Sequence, residues 1–342
     1  MVDALVAEAQ AALPEWRGER FHTLYFGGGT PSLLGAAAIG RIAESAFTHA
    51  EWNLREWTVE ANPEDLDPVT LSHLRDIGVT RLSIGIQSFD PEVLQWMRRI
   101  HTAEKAVQAV HDAAAVGFEH ISVDLMYGLP VGTEKRWVED VQRACDLPVD
   151  HLSCYILTAE PRTLYGRQLE AGNIASPPDE MVLRQYGVLC RLTAEAGFEH
   201  YEVSNFARPD GHSRHNSAYW DGTPYLGIGP GAHSHKGQDR WWNSRSNAAF
   251  LKHASTADFR GQQSSEKLSE RDRFNEALIT GLRRIQGVDP IALESLTGWT
   301  IEPHGPLSKL LEDGRCEWVD GRLRIPEKHW PMGDAITLEL MR

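Results

Sequence analysis

Apolar and polar positions along this chain follow two alternating periods, and the switch between them recurs. Residues 2–13 place apolar side chains at helical spacing, whereas 22–26 form a short apolar run that ends in Gly27, Gly28 and Gly29. Thr30 then occupies an N-cap position with Pro31 at the first helical position, which predicts a helix over 31–48. The unit returns as a strand over 57–61, a helix from Pro68 to Gly78 and a strand over 81–87. Asp90 and Thr102 read as caps of two successive helices that stop at Gly117, before a strand over 120–127. A helix over 133–145 and a strand over 151–157 complete the series. Strands alternating with helices mean parallel βα units, so the fold class is α/β, as a full or partial (β/α) barrel or a doubly wound open sheet.

Past Pro161 the pattern changes. Pro177-Pro178 precedes a helix over 179–196 and a short strand near Tyr201, and residues 204–243 are rich in Gly, His and aromatics with little periodicity. A loop of that length, kept aromatic, reads as functional rather than disordered. A polar linker over 261–266 leads to a small α-rich module, expected to be winged-helix-like, in which Asp320-Gly321 turns a hairpin over 317–325. The expected domains are therefore a barrel over 1–200, a connecting region over 201–260 and a C-terminal domain over 261–342.

Charge narrows the partners. With 48 acidic against 34 basic residues and a net charge of -14, the surface repels phosphate backbones, and no nucleic acid is expected as partner. The four cysteines, Cys145, Cys154, Cys190 and Cys316, form no Cys-x-x-Cys pair and read as reduced. No apolar stretch reaches the roughly 20 residues of a membrane span, and the acidic, Ala-rich start resembles no signal peptide, so a cytoplasmic location is expected.

Strand alternation then separates two faces. Leu82, Ile84 and Ile86 share one side of their strand and Ser83, Gly85 and Gln87 the other; Ile121, Val123 and Leu125 likewise oppose Ser122, Asp124 and Met126. Glu60, Gln87 and Asp124 fall toward the C-terminal ends of their strands, at the level of the glycine turn, where barrel enzymes keep their sites. Each of the three alone could do no more than cap a loop amide; together, beside backbone N–H groups at a helix start, they suit a small polar or anionic ligand. The turn itself also serves simply to reverse a strand into a helix. A second cluster reads Arg214-His215-Asn216-Ser217-Ala218-Tyr219-Trp220. A loop histidine beside flat rings is competent to ligate a haem iron, and is equally a form of surface packing; nearby His212, His233 and His235 also permit adventitious metal.

The segments Tyr25-Phe-Gly-Gly-Gly-Thr-Pro-Ser-Leu-Leu, Glu60-Ala-Asn-Pro-Glu, Arg81-Leu-Ser-Ile-Gly-Ile-Gln-Ser-Phe, Arg99-Ile-His-Thr and Asp124-Leu-Met-Tyr-Gly-Leu-Pro resemble the radical S-adenosylmethionine family of HemN-like coproporphyrinogen oxidases. Tyr201-Glu-Val-Ser-Asn-Phe-Ala and His215-Asn-x-x-Tyr-Trp are similar to its HemW branch of haem chaperones. The resemblance covers nearly the whole chain and implies a partial (β/α)6 barrel with a HemN-type C-terminal domain. It implies S-adenosylmethionine contacts at Gly28, Gly29, Thr30, Glu60, Gln87, Arg99, Asp124 and Thr158, and haem binding at His215, the iron ligand, with Asn216, Tyr219 and Trp220. It further implies haem transfer to an acceptor protein, membrane-associated acceptors included; the alternatives are an oxygen-independent coproporphyrinogen III dehydrogenase and a degenerate, non-catalytic paralogue.

One departure is plain. The family carries a Cys-x-x-x-Cys-x-x-Cys loop that holds a 4Fe-4S cluster, and this chain has no such motif. No catalytic residue, and no radical catalysis, is therefore expected of the chain as written. The missing strand and cluster loop are expected to reflect a misassigned start or a lost N-terminus.

Overall fold

The structure, a computed structural model, describes residues 1–342 except 133, 162, 257 and 303. Helix α1 (Val2–Ala12) ends in a 3-10 turn and leads into β1 (Arg20–Phe26). After the glycines the chain does not enter an α-helix at once. Pro31–Leu34 is a 3-10 turn in which the Thr30 carbonyl accepts from Leu33 N–H at 3.1 Å, and α2 (Gly35–His49) starts at a glycine whose φ of 75° interrupts the run. β2 (Glu51–Ala61) begins six residues before the expected 57, because Trp52 and Leu54 extend the alternation.

α3 (Pro68–Asp76) is capped by Asp67, whose side chain accepts from Thr70 N–H at 2.7 Å, and β3 is Arg81–Gln87. Asp90 caps α4 (Pro91–Trp96), Thr102 caps α5 (Ala103–Val116), and Gly117 closes α5 in the left-handed region. β4 (His120–Tyr127), α6 (Glu134–Asp146), β5 (His151–Ile156), α7 (Leu164–Glu170) and α8 (Asp179–Glu195) follow; the expected start of α6 at Thr133 lies outside the described residues.

The stretch expected to be a long loop is structured. It holds part of the hairpin of β6 (Glu199–Glu202) and β7 (Asn205–Ala207), then α9 (Arg214–Trp220), β8 (His233–Lys236) and β9 (Asp239–Asn243). These elements are three to seven residues long, too short for a period to show. α10 (Asn247–Thr256) precedes β10 (Gln263–Lys267), so the expected linker is a strand: its polar side chains belong to an edge, where pairing is carried by backbone. The C-terminal residues form α11 (Glu270–Gly281), α12 (Pro290–Thr297), α13 (Pro306–Glu312), the hairpin β11 (Glu317–Val319) and β12 (Arg322–Arg324), and α14 (Gly333–Leu340). Asp320 and Gly321, at φ 50° and 76°, make the turn expected between β11 and β12.

The largest sheet is a curled half-barrel with strand order β1-β2-β3-β4-β5-β7-β6. Pairs β2–β3, β3–β4 and β4–β5 are parallel, as the βα repeat predicts; β5–β7 and β6–β7 are antiparallel, so the sheet ends in a hairpin and not in a sixth parallel unit. Contacts divide the chain into two units: Met1–Leu24, Leu34–Glu56 and Arg214–Arg342 form one, Tyr25–Leu33 and Trp57–Ser213 the other. In the second unit Leu82, Ile84, Ile86, Val123 and Leu125 are fully buried, along with Ala106, Ala109, Val110 and Ala113 of α5, whose small side chains allow close helix–sheet approach. In the first unit Ala9 of α1 and Leu13 of the following 3-10 turn pack on Ala46, with Phe21, Trp52, Leu226 and Ile228 around them, and Ala4 packs with Phe250 and Phe259. Buried Glu8 accepts from Gly229 N–H at 2.7 Å and from Asn243 Nδ2 at 2.6 Å, tying α1 to β9 and the glycine-rich segment before β8. Among the described residues no helix is long and apolar enough to cross a membrane.

Candidate functional site

Each unit carries one constellation. In the unit built on Trp57–Ser213, the glycine turn is fastened by Glu60 from the end of β2. Tyr25 OH donates to Glu60 Oε1 at 2.6 Å, and Gly28 N–H donates to Glu60 Oε2 at 3.1 Å. A Cβ on Gly27 would stand 2.4 Å from Tyr25 Cε1 and 2.6 Å from Glu60 Oε1, so no other residue fits there without displacing the pair. Gly28 takes φ 79°, whereas a Cβ on Gly29 would meet open space. Glu60 thus caps a loop amide and also presents negative charge beside backbone N–H groups.

Asp124 stands beside this pair. Ser83 Oγ donates to Asp124 Oδ1 at 3.2 Å and Ser153 also bonds the carboxyl. Burial, then the charge of Glu60, pushes the Asp124 carboxyl up to about 7, while the Ser153 and Ser83 bonds and Arg99 oppose the rise. Burial and the same acids push the Tyr25 phenol well above its ordinary range. Arg99 Nη2 donates to Asn62 Oδ1 at 2.7 Å and to the Gly85 carbonyl at 2.6 Å; its Nε is buried with no hydrogen-bond partner among the described residues. Gln87 holds φ 71° where the β3–β4 register slips, and its Nε2 would stand 3.0 Å from a Cβ on Gly85. Left-handed backbone on a non-glycine residue costs on the order of 1 kcal/mol and is typical of a site. A hydrogen bond thus links Gly28 to Glu60, the charges of Glu60 and Arg99 act on Asp124, and Arg99 and Gln87 both stand against Gly85. Thr30 and Gly29 continue the same turn; Thr158 is exposed beyond β5, and no contact among the described residues ties it to the group.

The other constellation centres on α9, so His215 is a helical residue and not a loop one. Glu56, on β2 and only 2% exposed, accepts the N–H of Arg214 at 3.0 Å and of His215 at 2.9 Å, satisfying two orphan donors of the first turn. The His215 ring bonds Thr23 Oγ1 through Nδ1 at 2.8 Å and Tyr219 OH through Nε2 at 3.2 Å. Burial pushes the imidazole down to about 4 against the opposing charge of Glu56, which leaves it neutral at pH 7 with one lone pair. The Tyr219 ring meets the His215 ring edge-on at 5.0 Å and 86°, and meets Tyr225 at 4.7 Å and 79°. Trp220 has the Arg283 guanidinium 5.9 Å from its ring, and its buried Nε1 finds no hydrogen-bond partner among the described residues. Asn216 is half-buried next to His215. A neutral imidazole flanked by rings can bind a soft metal centre carried in a flat apolar ligand.

The cysteines give no such set. All four are free thiols, and among the described residues no three of them gather within metal-ligating distance. Burial pushes Cys145 and Cys316 up to about 11 and also raises Cys154 well above its ordinary value, the opposite of what thiolate ligands require. The donors described here do not fit a 4Fe-4S cluster.

Sequence reasoning missed Thr23, Glu56, Tyr25, Ser83 and Ser153 as supporting groups. For Ser83 and Ser153 the inward side of the strand was a usable signal. Thr23 and Glu56 act on a residue about 160–190 positions away, as the separations of 192 and 159 show, and nothing local marks them.

Comparison with known proteins bears on the family and the fold. The Radical SAM superfamily pattern matches residues 2–144. "Heme chaperone HemW" of Mycobacterium tuberculosis strain H37Rv is 39% identical over 341 residues, covering 99% of this chain and 85% of that protein. The Bacillus subtilis protein of the same name is 32% identical over 268 residues, 78% of this chain and 70% of its own length. Among solved structures, coproporphyrinogen III oxidase (HemN) of Escherichia coli superposes with a TM-score of 0.83 over 99% of this chain and 82% of its own, at 24% identity, which speaks for the half-barrel fold. A chain of this identity and coverage belongs to the HemW family, within the radical SAM superfamily.

Proposed function

We propose that this protein is a haem chaperone: it binds haem with His215 as the iron ligand, Asn216, Tyr219 and Trp220 shaping the contact, and passes it to an acceptor protein. The observation that carries this reading is the state of His215. Its backbone is anchored by Glu56, its ring is neutral at physiological pH, and the hydroxyl on Nε2 belongs to a side chain that is 43% exposed. Haem is cargo in this scheme. With His215 as the single protein nitrogen on the iron, a competing ligand on the acceptor would release the haem to it.

The first constellation is assigned to S-adenosylmethionine. Gly28, Gly29 and Thr30 would receive its amino-acid end, with Glu60, Gln87, Arg99, Asp124 and Thr158 for the remainder. Two acids suit a ligand that carries a sulfonium and an ammonium, and the close fit at Gly27 and the unsatisfied Arg99 Nε support a built pocket. The bound sulfonium would supply a group cleaved only by a strong one-electron donor; the described cysteines do not furnish one, and no step is derived through it.

Titration with haemin, followed at the Soret band, tests the main reading. Wild type should bind with one-to-one saturation and His215→Ala should lose the shifted band; equal affinity and spectrum in the two proteins would remove His215 as ligand.

A further inference from the structure

The two ring nitrogens of His215 have different partners within one unit, and the difference carries an inference that rests on the haem-binding reading above. Nδ1 faces Thr23 Oγ1 at 2.8 Å, in a part-buried setting; Nε2 faces Tyr219 OH at 3.2 Å, in an exposed one. A neutral imidazole holds one proton, and the group opposite each nitrogen decides which of the two carries it. Thr23 is a β-branched residue on a strand, so its side chain has few alternative rotamers and its hydroxyl oxygen is held in place opposite Nδ1. Tyr219 stands four residues along α9, directly over His215, and is 43% exposed, so its hydroxyl can leave. Iron bearing a macrocycle can approach the nitrogen whose cover is removable, and not the one backed by the strand.

We propose that Thr23 is a positioning residue: its oxygen accepts Nδ1–H, which places the lone pair on Nε2, and Tyr219 O–H donates to that lone pair until iron takes it. The proton balance is simple. Binding of iron at Nε2 removes no proton from the ring, and the Tyr219 hydroxyl gives up one acceptor and turns to solvent. Glu56 contributes by fixing the backbone N–H groups of Arg214 and His215, which sets the height of the ring against Thr23.

The test reads the tautomer first, with no haem present. Protein labelled with 15N-histidine is examined by two-bond proton–nitrogen correlation, and the His215 signals are assigned by their loss in His215→Ala. Wild type should show Nδ1–H with Nε2 unprotonated. Thr23→Val should shift the population toward Nε2–H with Tyr219 as acceptor, and should lower haemin affinity about 10- to 100-fold, the usual scale for a group that orients a ligand. Thr23→Ser should restore both. An Nε2–H wild type, or a Thr23→Val protein with an unchanged tautomer, overturns the proposal whatever haem does. Should the valine variant fail to fold, the wild-type tautomer and the serine variant decide alone. Failure of the underlying reading looks different: His215→Ala would then keep its haemin affinity while the tautomer of the wild type still answered the question about Thr23.

Discussion

Replacing Glu56 with alanine tests how the His215 helix is held. Glu56 is 2% exposed and its two oxygens receive the N–H groups of Arg214 and His215 at 3.0 and 2.9 Å. Hydrogen bonds to a charged acceptor contribute about 1.5–3 kcal/mol each, and a buried amide left without one pays its desolvation. Arg214 is exposed, so water can replace the first of these bonds; His215 is half-buried, and the second is harder to replace. The combined cost is then about 2–4 kcal/mol, and at about 1.4 kcal/mol per factor of ten the opening of α9 should become about 30- to 700-fold more frequent. Amide hydrogen exchange measures this directly. Protection across Arg214–Trp220 should fall by that factor in Glu56→Ala and by less in Glu56→Gln, which keeps one accepting oxygen, while protection in α5 stays as in wild type. Unaltered exchange in α9 of the alanine variant would refute the claim that this carboxylate holds the helix.

Other expectations follow from the same geometry. Gly27→Ala forces a Cβ to within 2.4 Å of Tyr25 Cε1 and should cost about 1–3 kcal/mol by overpacking, whereas Gly29→Ala, facing open space, should be near neutral; equal melting temperatures for the two variants would contradict the assignment. Binding of cationic S-adenosylmethionine should favour the charged form of Asp124, whose carboxyl stands at about 7, so protons should be released and affinity should rise as pH passes upward through 7; calorimetry in buffers of different ionisation enthalpy counts them, and none released would exclude Asp124 as a contact. Burial pushes Glu8 up to about 7, above its ordinary value in the unfolded chain, so folding stability should decline as pH rises from about 4.5 to 7, by at most about 3 kcal/mol. Urea unfolding at pH 5 and pH 8 checks the sign, and a protein more stable at pH 8 through this group would show it reversed.

The repeat of strand and helix was legible because its signals are local. Asp67, Asp90 and Thr102 cap the helices they stand before, and β3 and β4 keep the bounds their alternation predicts. Inward polarity on β3 and β4 points to Gln87 and Asp124, and position at the C-terminal end of β2 points to Glu60. What the chain hides is pairing at a distance. α9 and β8–β10 are too short for periodicity, and their order comes from contacts such as Glu56 with His215 and Glu8 with Gly229 and Asn243. The hairpin that ends the large sheet was missed for the same reason: β6 and β7, at four and three residues, gain their direction from β5 and not from their own sequence. Thr158, named through family resemblance alone, is an expected contact that no described interaction joins to its group.

Equilibrium haemin binding to wild type and His215→Ala, with axial ligation read by electron paramagnetic resonance on 15N-histidine-labelled protein, tests the central claim most directly. Orienting groups alone govern about 10- to 100-fold in metal affinity, so loss of the ligand itself should exceed about 100-fold, and the ferric spectrum of wild type should carry hyperfine coupling to one histidine nitrogen that the variant lacks. A variant that binds haemin as tightly as wild type, with the same nitrogen coupling, would contradict the account.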